Sequence, residues 1–144
     1  MTVATLGVEL VSVEEIDSTW TGGFSERSDG TGDYLLLQRA KHDSDQDKKL
    51  RLIGYHIEYS DQPRSMYGGL LSFQLHRNRA VLSFNDQALS LMGAREIAIS
   101  FTLTDSQFQQ LRLALKYIFG DSAIFSDRAA QPGNPPDAPQ AARR

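Results

Sequence analysis

The stretch that decides the fold is REIAISFTLTDSQFQQLRLALKYIFG, residues 95–120. In its first half, Ile97, Ile99 and Phe101 alternate with small or polar residues, a period of two that is typical of a strand with one face on a core. In its second half the apolar residues recur every three or four positions, which is typical of an amphipathic helix. We therefore predict a strand over residues 95–103, followed directly by a helix.

This helix has a start signal and a stop signal. Thr104 and Gln107 have the spacing of a capping box, in which each side chain accepts a hydrogen bond from the other residue's backbone amide. Gly120 follows Phe119 and can adopt the left-handed conformation that ends many helices. The apolar stripe, which we expect to pack across a sheet, consists of Phe108, Leu111, Ala114, Leu115, Ile118 and Phe119.

Outward from this unit, the chain is predicted to form mainly strands. Further strands are expected over residues 3–13, 34–37 and 50–59, with Gly54 as a bulge in the last. Residues 14–32 and 61–67 are expected to be polar connections. A hairpin is predicted to begin at Gly68-Gly69, with Leu71, Phe73 and Leu75 pointing inward on its first strand. It turns at Arg77-Asn78, and its second strand points Ala80, Leu82 and Phe84 inward. A short helix is predicted over residues 87–92.

These elements predict an α+β fold. It consists of an antiparallel β-sheet of about five to seven strands, with a short helix and the C-terminal amphipathic helix packed on one face. A chain of 144 residues is long enough for one core, so residues 1–125 are predicted to form a single α+β domain. Residues 126–144 are rich in proline and alanine and are predicted to be a disordered tail.

Composition excludes several classes of protein. There is no cysteine, so disulfides, thiolate metal sites and a cysteine nucleophile are excluded. No apolar run approaches the roughly 20 residues that span a bilayer, and no signal peptide is recognised, so we expect a cytoplasmic protein. Charge is uneven: residues 1–47 carry ten acidic and three basic side chains, and residues 48–120 carry nine basic and five acidic ones. The acidic third either aids solubility or attracts a basic partner.

Few side chains are arranged for chemistry. His56 and Glu58 share one face of a strand and could form a general acid–base pair, but no nucleophile accompanies them. His42 and His76 do not complete a metal set, and the aspartates at 43, 45 and 47 lack the glycine and glutamate of a calcium loop. We predict no catalytic residues, no metal site and no cofactor. Basic side chains without an aromatic face also argue against direct nucleic-acid binding.

Two aromatic residues have two interpretations each. Trp20 lies in a polar, glycine-rich connection, and Tyr67 directly precedes Gly68-Gly69. Either ring could close one end of the core, or it could be an exposed anchor for a protein partner, since aromatic residues are enriched at binding hot spots.

Several segments occur together in an order shared with one protein family. They are Phe24-Ser25-Glu26 with Asp29-Gly30, residues 34–39, Tyr67-Gly68-Gly69-Leu70, Leu91-Met92-Gly93, and the strand and helix between Ile97 and Gly120. In this combination the chain resembles immunity protein family ten of bacterial polymorphic toxin systems, over roughly residues 20–120. The resemblance implies a small cytoplasmic α+β protein, without enzymatic activity, that binds a toxin domain encoded beside it and so protects its own cell.

Our leading hypothesis is that one face of the scaffold occludes the active or substrate-binding surface of a cognate toxin, for example a basic nuclease. From charge and exposure we predict five partner-binding residues: Trp20, Glu26, Asp29, Asp33 and Tyr67. An alternative is a non-catalytic adaptor or protein-interaction module unrelated to toxins. A third is a small enzyme that uses His56 and Glu58. Oligomeric state and the identity of the toxin stay open.

Overall fold

A computed structural model describes residues 3–40, 54–120 and 122–130. Three predictions fall partly or wholly outside these residues. They are the loop with aspartates at 43, 45 and 47, the first part of the strand predicted over residues 50–59, and most of the predicted C-terminal tail.

The described chain contains ten strands, two α-helices and a short 3-10 helix at Arg128–Ala130. The strands are β1 Val3–Gly7, β2 Leu10–Ile16, β3 Thr19–Ser25, β4 Tyr34–Ala40, β5 His56–Tyr59, β6 Asp61–Tyr67, β7 Leu70–Leu75, β8 Arg79–Phe84, β9 Glu96–Ser100 and β10 Phe125–Asp127. The helices are α1 Asp86–Met92 and α2 Asp105–Phe119.

The strands divide between two five-stranded sheets. Sheet A has the order β1-β9-β8-β7-β10, and sheet B has the order β2-β3-β4-β5-β6. Sheet B is antiparallel throughout, whereas β1 pairs parallel with β9, and β10 pairs parallel with β7. The predicted α+β class is confirmed, and the structure adds that the strands form two sheets around a shared core.

Helix α2 provides the centre of that core. Thr104 and Gln107 form the predicted capping box, and the helix ends at Gly120 as expected. All six residues of the predicted stripe are buried, and the helix packs on β2, β3 and β4 of sheet B. At its C-terminal end, the ring of Phe119 lies 5.3 Å from that of Phe73 in sheet A and 5.1 Å from that of Tyr55, between centroids. The helix therefore joins both sheets through apolar contacts.

The first part of the chain differs most from expectation. The single strand predicted over residues 3–13 is wrong: β1 belongs to sheet A and β2 to sheet B, so the chain changes sheets at Val8 and Glu9. The polar connection predicted over residues 14–32 is also wrong, because it contains the end of β2 and all of β3. A two-residue turn at Asp17 and Ser18, both with positive φ, joins these strands as a tight hairpin.

Two predictions about residues 61–75, which cover β6 of sheet B and β7 of sheet A, are also wrong. Residues 61–67 were expected to be a loop, but they form edge strand β6, where Pro63 is tolerated because an edge strand needs fewer backbone donors. Leu71 was expected to point inward but is 60% exposed. The pairing of β7 with β8 shifts register between Leu70 and Ser72, which places Leu70 in the core instead.

Strand β10 crosses the boundary that the sequence placed after residue 125. The ring of Phe125 stacks on that of Phe119 with centroids 5.5 Å apart. Two N–H groups of the Arg112 guanidinium donate to Asp127 Oδ2 at 3.0 and 2.8 Å. These contacts attach the strand to α2, and its parallel pairing with β7 places it at the edge of sheet A.

Candidate partner-binding surface

The three predicted acidic residues lie in one loop, residues 26–33, between β3 and β4. The backbone amide of Glu26 donates to the Asp33 carbonyl at 2.9 Å, and the Asp33 amide donates to Glu26 Oε1 at 3.0 Å. Asp29 Oδ1 accepts from the amide and the hydroxyl of Thr31 at 2.9 and 2.6 Å. These bonds lower the pKa of the Asp29 carboxyl below its usual range, the hydroxyl having the larger effect. The loop therefore presents negative charges from a hydrogen-bonded backbone.

A fourth carboxylate joins this loop from the start of β2. Glu9 Oε1 accepts from the amide of Ser28 at 3.0 Å, and the Glu9 amide donates to the carbonyl of Ser25. Glu9, Glu26 and Asp29 also line one shallow cleft, together with Arg27. We call Glu9, Glu26, Asp29 and Asp33 the acidic end. Glu9 was missed from the sequence because it is about 20 residues from the loop in the chain, and only the sheet pairing brings it there.

The acidic end influences a neighbouring tyrosine on β5. The pKa of the Tyr59 phenol is raised, first by burial and then by the negative charge of Asp33, while the Arg64 charge opposes the rise. The Arg64 guanidinium lies 5.8 Å from the centre of the Tyr59 ring. The negative charge of the loop therefore affects the ionisation of a side chain on β5, two strands away from β3.

Tyr67 lies on the outer face of sheet B, the face turned away from α2. It is 40% exposed, and its ring meets that of His56 edge-on with centroids 4.9 Å apart. Along the same face, the Tyr34 hydroxyl donates to Glu58. That bond, followed by burial and the Glu58 charge, raises the pKa of Tyr34 to about 12. His56 and Glu58, the two residues considered as an alternative acid–base pair, therefore each contact a tyrosine on a neighbouring strand.

Trp20 lies on the inner face of sheet B, on the side of α2. It is half-buried against the core, and its ring lies 5.5 Å from that of Tyr117 on the helix, between centroids. Beside it in the register, Arg39 Nη1 donates to the carbonyl of Ile118 at 3.1 Å. Part of the Trp20 ring therefore closes the core where the C-terminal half of α2 meets the sheet.

The five predicted residues do not form one patch. The acidic loop is at the end of sheet B where β3 ends and β4 begins, whereas Trp20 is near the start of β3. Tyr67 pairs with His56 at the opposite end of β5 from Tyr59, on the other face from Trp20. The structure thus brings Glu26, Asp29 and Asp33 together and separates both aromatic residues from them.

Across residues 3–40, 54–120 and 122–130, no three histidine or carboxylate side chains are grouped closely enough to hold a metal ion. Over the same ranges, no helix is long and apolar enough to cross a lipid bilayer.

Comparison with known proteins supports the resemblance seen in the sequence. The profile of the family described as Immunity protein 10 matches residues 7–109, which include β2 to β9, α1 and the start of α2. No curated protein matches the sequence of this chain. The family match covers more than half of the chain, and on that basis the protein belongs to the immunity protein 10 family.

Proposed function

We propose that this protein binds the toxin domain encoded beside it and neutralises that toxin by covering its active or substrate-binding surface. Membership of an immunity protein family supports a protein partner and a non-catalytic role. The observation that carries the more specific proposal is the acidic end, where four carboxylates project from one end of sheet B. We propose further that the protein acts in the cytoplasm.

The acidic end has the properties of an electrostatic docking surface. Hydrogen bonds from the backbone hold Glu26 and Glu9, and Thr31 holds Asp29, so the negative charges are positioned before the partner arrives. Such an arrangement accelerates the encounter with a positively charged surface and orients it, an effect that salt weakens. A nuclease is a partner of this kind, because its substrate groove is basic. This protein would bind the enzyme and not the nucleic acid.

Aromatic side chains would supply much of the affinity after the encounter. Tyr67 offers an exposed ring supported from the side by His56. Trp20 offers the part of its ring that Tyr117 leaves uncovered. Tyrosine and tryptophan bury a large area at little cost in conformational entropy, which makes them frequent hot spots.

Isosteric removal of charge tests the proposal. The triple variant Glu26→Gln, Asp29→Asn, Asp33→Asn keeps oxygen acceptors for the loop hydrogen bonds while removing three negative charges. Binding to the purified toxin domain of the neighbouring gene is measured by stopped-flow fluorescence at low and high salt. We expect association to slow about tenfold or more at low salt and to lose most of its salt dependence.

A matched control removes the same charge elsewhere. The variant Asp86→Asn, Glu96→Gln, Asp105→Asn changes the three acidic residues between residues 70 and 120, far from the loop in sequence. We expect its association rate to stay within about twofold to threefold of the wild type. Equal slowing in both variants would show that net charge, not the acidic end, matters. Failure of the folded wild-type protein to bind the toxin domain or rescue growth would contradict the immunity role and favour the adaptor alternative.

A further inference from the structure

Strand β2 is the most open sheet edge in the described chain. It is seven residues long, it lies at the end of sheet B, and its pairing with β3 runs without a register shift. The opposite edge, β6, contains Pro63 and a register shift, both of which discourage further pairing. In sheet A, edge strand β10 has only three residues and edge strand β1 has five, against seven in β2. Strand β2 thus lacks the devices that protect β6.

The direction of each β2 amide follows from the bonds around it. The amide N–H of Glu26 points towards β4, because it donates to the carbonyl of Asp33. Amides alternate in direction along a strand, so the amides of residues 19, 21, 23 and 25 of β3 point towards β2. Ser25 pairs with Leu10, so the amides of Ser12 and Glu14 point to β3. By the same alternation, the amides of Val11 and Val13 point away from the sheet. The two-residue turn that joins Ile16 to Thr19 requires the same pattern.

We infer that β2 is the docking strand for an extended, basic segment of the toxin, which adds to sheet B as a sixth strand. This inference rests on the proposed immunity function and specifies its geometry. Main-chain hydrogen bonds would supply part of the affinity, as in other complexes formed by strand addition. The charge of the segment follows from the exposed carboxylates of Glu9, Glu14 and Asp17, which lie along or beside β2.

A second copy of the chain fits this edge poorly. An antiparallel pair of β2 strands centred on Val13 would bring Glu9, just before the strand of one copy, close to Asp17, just after the strand of the other, at both ends of the pair. Glu14 would add further negative charge to both sides of the pair. Like charges brought close together repel one another. The edge therefore favours a basic partner over self-association.

Amide hydrogen exchange tests the inference with the wild-type protein. Exchange is followed by NMR for the free protein and for its complex with the toxin domain of the neighbouring gene. We expect the amides of Val11 and Val13 to exchange at least about tenfold more slowly in the complex. The amides of Ser12 and Glu14, which already bond to β3, should change little. A complex in which Val11 and Val13 show no added protection would overturn the inference.

A proline substitution separates strand addition from simple coverage of the edge. Val13→Pro removes one outward amide and is compatible with an edge strand, while Val13→Thr keeps the amide and a side chain of similar shape. We expect Val13→Pro to weaken toxin binding at least about tenfold and Val13→Thr to stay within about threefold, with both variants folded by circular dichroism. Equal effects of the two substitutions would overturn the inference.

The remaining outcomes are also decisive. A stable dimer of the free protein that Val13→Pro dissociates would assign the edge to a second copy and overturn the inference. Absence of any complex between the wild-type protein and the toxin domain would contradict the proposed function, and this inference with it. Binding that survives Val13→Pro would overturn strand addition alone and leave the immunity role intact.

Discussion

The outer faces of sheets A and B arise from the same alternation of side chains but differ in chemistry. On sheet A, the cross-strand row of Gln74, Val81 and Ala98 is uncharged, and the charged residues Arg79 and Glu96 of this face stand at the first positions of their strands. On sheet B, the corresponding face carries tyrosines, a histidine and Glu58. Charge differs in the same direction: residues 70–120 contain three acidic and five basic side chains, while residues 10–40 and 54–67 contain eight acidic and three basic ones. Sheet A therefore contributes mainly to the core, whereas sheet B contributes to the core and also carries polar and aromatic side chains on its outer face.

The largest expected effect comes from breaking the element that both sheets share. Leu111 is fully buried on α2, and Leu111→Asp would place a carboxylate among apolar side chains without a partner. We expect a loss of at least about 5 kcal/mol in the free energy of unfolding, which removes the whole stability of a domain at the lower end of the ordinary range. Circular dichroism and thermal melting measure this.

Leu113 provides the control on the same helix. Its side chain is 67% exposed, so Leu113→Asp should change the free energy of unfolding by no more than about 0.5 kcal/mol. A cooperative melt near that of the wild type for Leu111→Asp would refute the position of α2 between the sheets.

The next effect concerns the junction between the sheets, where the chain passes from β6 to β7 through Gly68-Gly69. Both glycines have positive φ, which costs about 1–2 kcal/mol for a residue with a Cβ. At Gly69 a Cβ would also lie 2.9 Å from Met66 Sδ and 3.1 Å from Ala88 Cβ on α1, whereas nothing lies within 4 Å at Gly68. We expect Gly69→Ala to lower the free energy of unfolding by about 2–4 kcal/mol and Gly68→Ala by about 1–2 kcal/mol in urea titrations. Equal losses would show that the contact with α1 is unimportant.

The third prediction compares the two outer faces in binding. Tyr67→Ala should weaken toxin binding by about 2 kcal/mol, roughly thirtyfold, because it removes an exposed ring from sheet B. Val81→Ala, which alters the outer face of sheet A, should stay within about twofold. Isothermal titration calorimetry with the toxin domain measures both. A larger effect at Val81 would reverse the roles assigned to the sheets.

The contrast between the sheets also explains how far the sequence could predict the fold. In sheet A, the buried residues of β8 and β9 alternate without interruption, so both strands were predicted close to their observed positions. The capping box that begins α2 depends on residues three apart in the chain, and Thr104 and Gln107 were identified correctly. These strands and caps are determined by residues close together in the chain, so local sequence patterns are enough to predict them.

Sheet B depends on features that no local pattern reveals. Strand β3 was missed because Gly22 stands where an apolar side chain would normally mark the buried face. A Cβ at that position would make an ordinary van der Waals contact with Ile118 Cδ1 at 3.8 Å, so α2 lies directly over this glycine. Alternation also continues from β1 into β2, which hid the change of sheet at Val8. Whether a strand leaves one sheet for another depends on long-range packing.

The candidate site shows the same limit. Glu26, Asp29 and Asp33 were grouped correctly because they are close in the chain. Strand pairing, which the local sequence does not reveal, places Glu9 beside this loop and Tyr67 away from it. Proximity in the chain thus identifies the acidic residues that share one loop, whereas strand pairing decides which distant residues lie beside them.

The smallest expected effect tests the polar network on the outer face of sheet B. Glu58 raises the pKa of Tyr34 to about 12, first through the hydrogen bond and also through its charge. Since that pKa is about 10 in an unfolded chain, the pair stabilises the fold fully below pH 10 and loses this contribution as the pH rises towards 12. We expect Glu58→Gln to move the Tyr34 pKa back towards 10, as measured by the pH dependence of its ring carbon signals in NMR. Glu96→Gln, which removes one negative charge from sheet A, should leave it unchanged. If both substitutions lowered the Tyr34 pKa equally, the net negative charge of the protein would be responsible for the raised pKa. The contact with Glu58 on the outer face of sheet B would then have no specific effect on the ionisation of Tyr34.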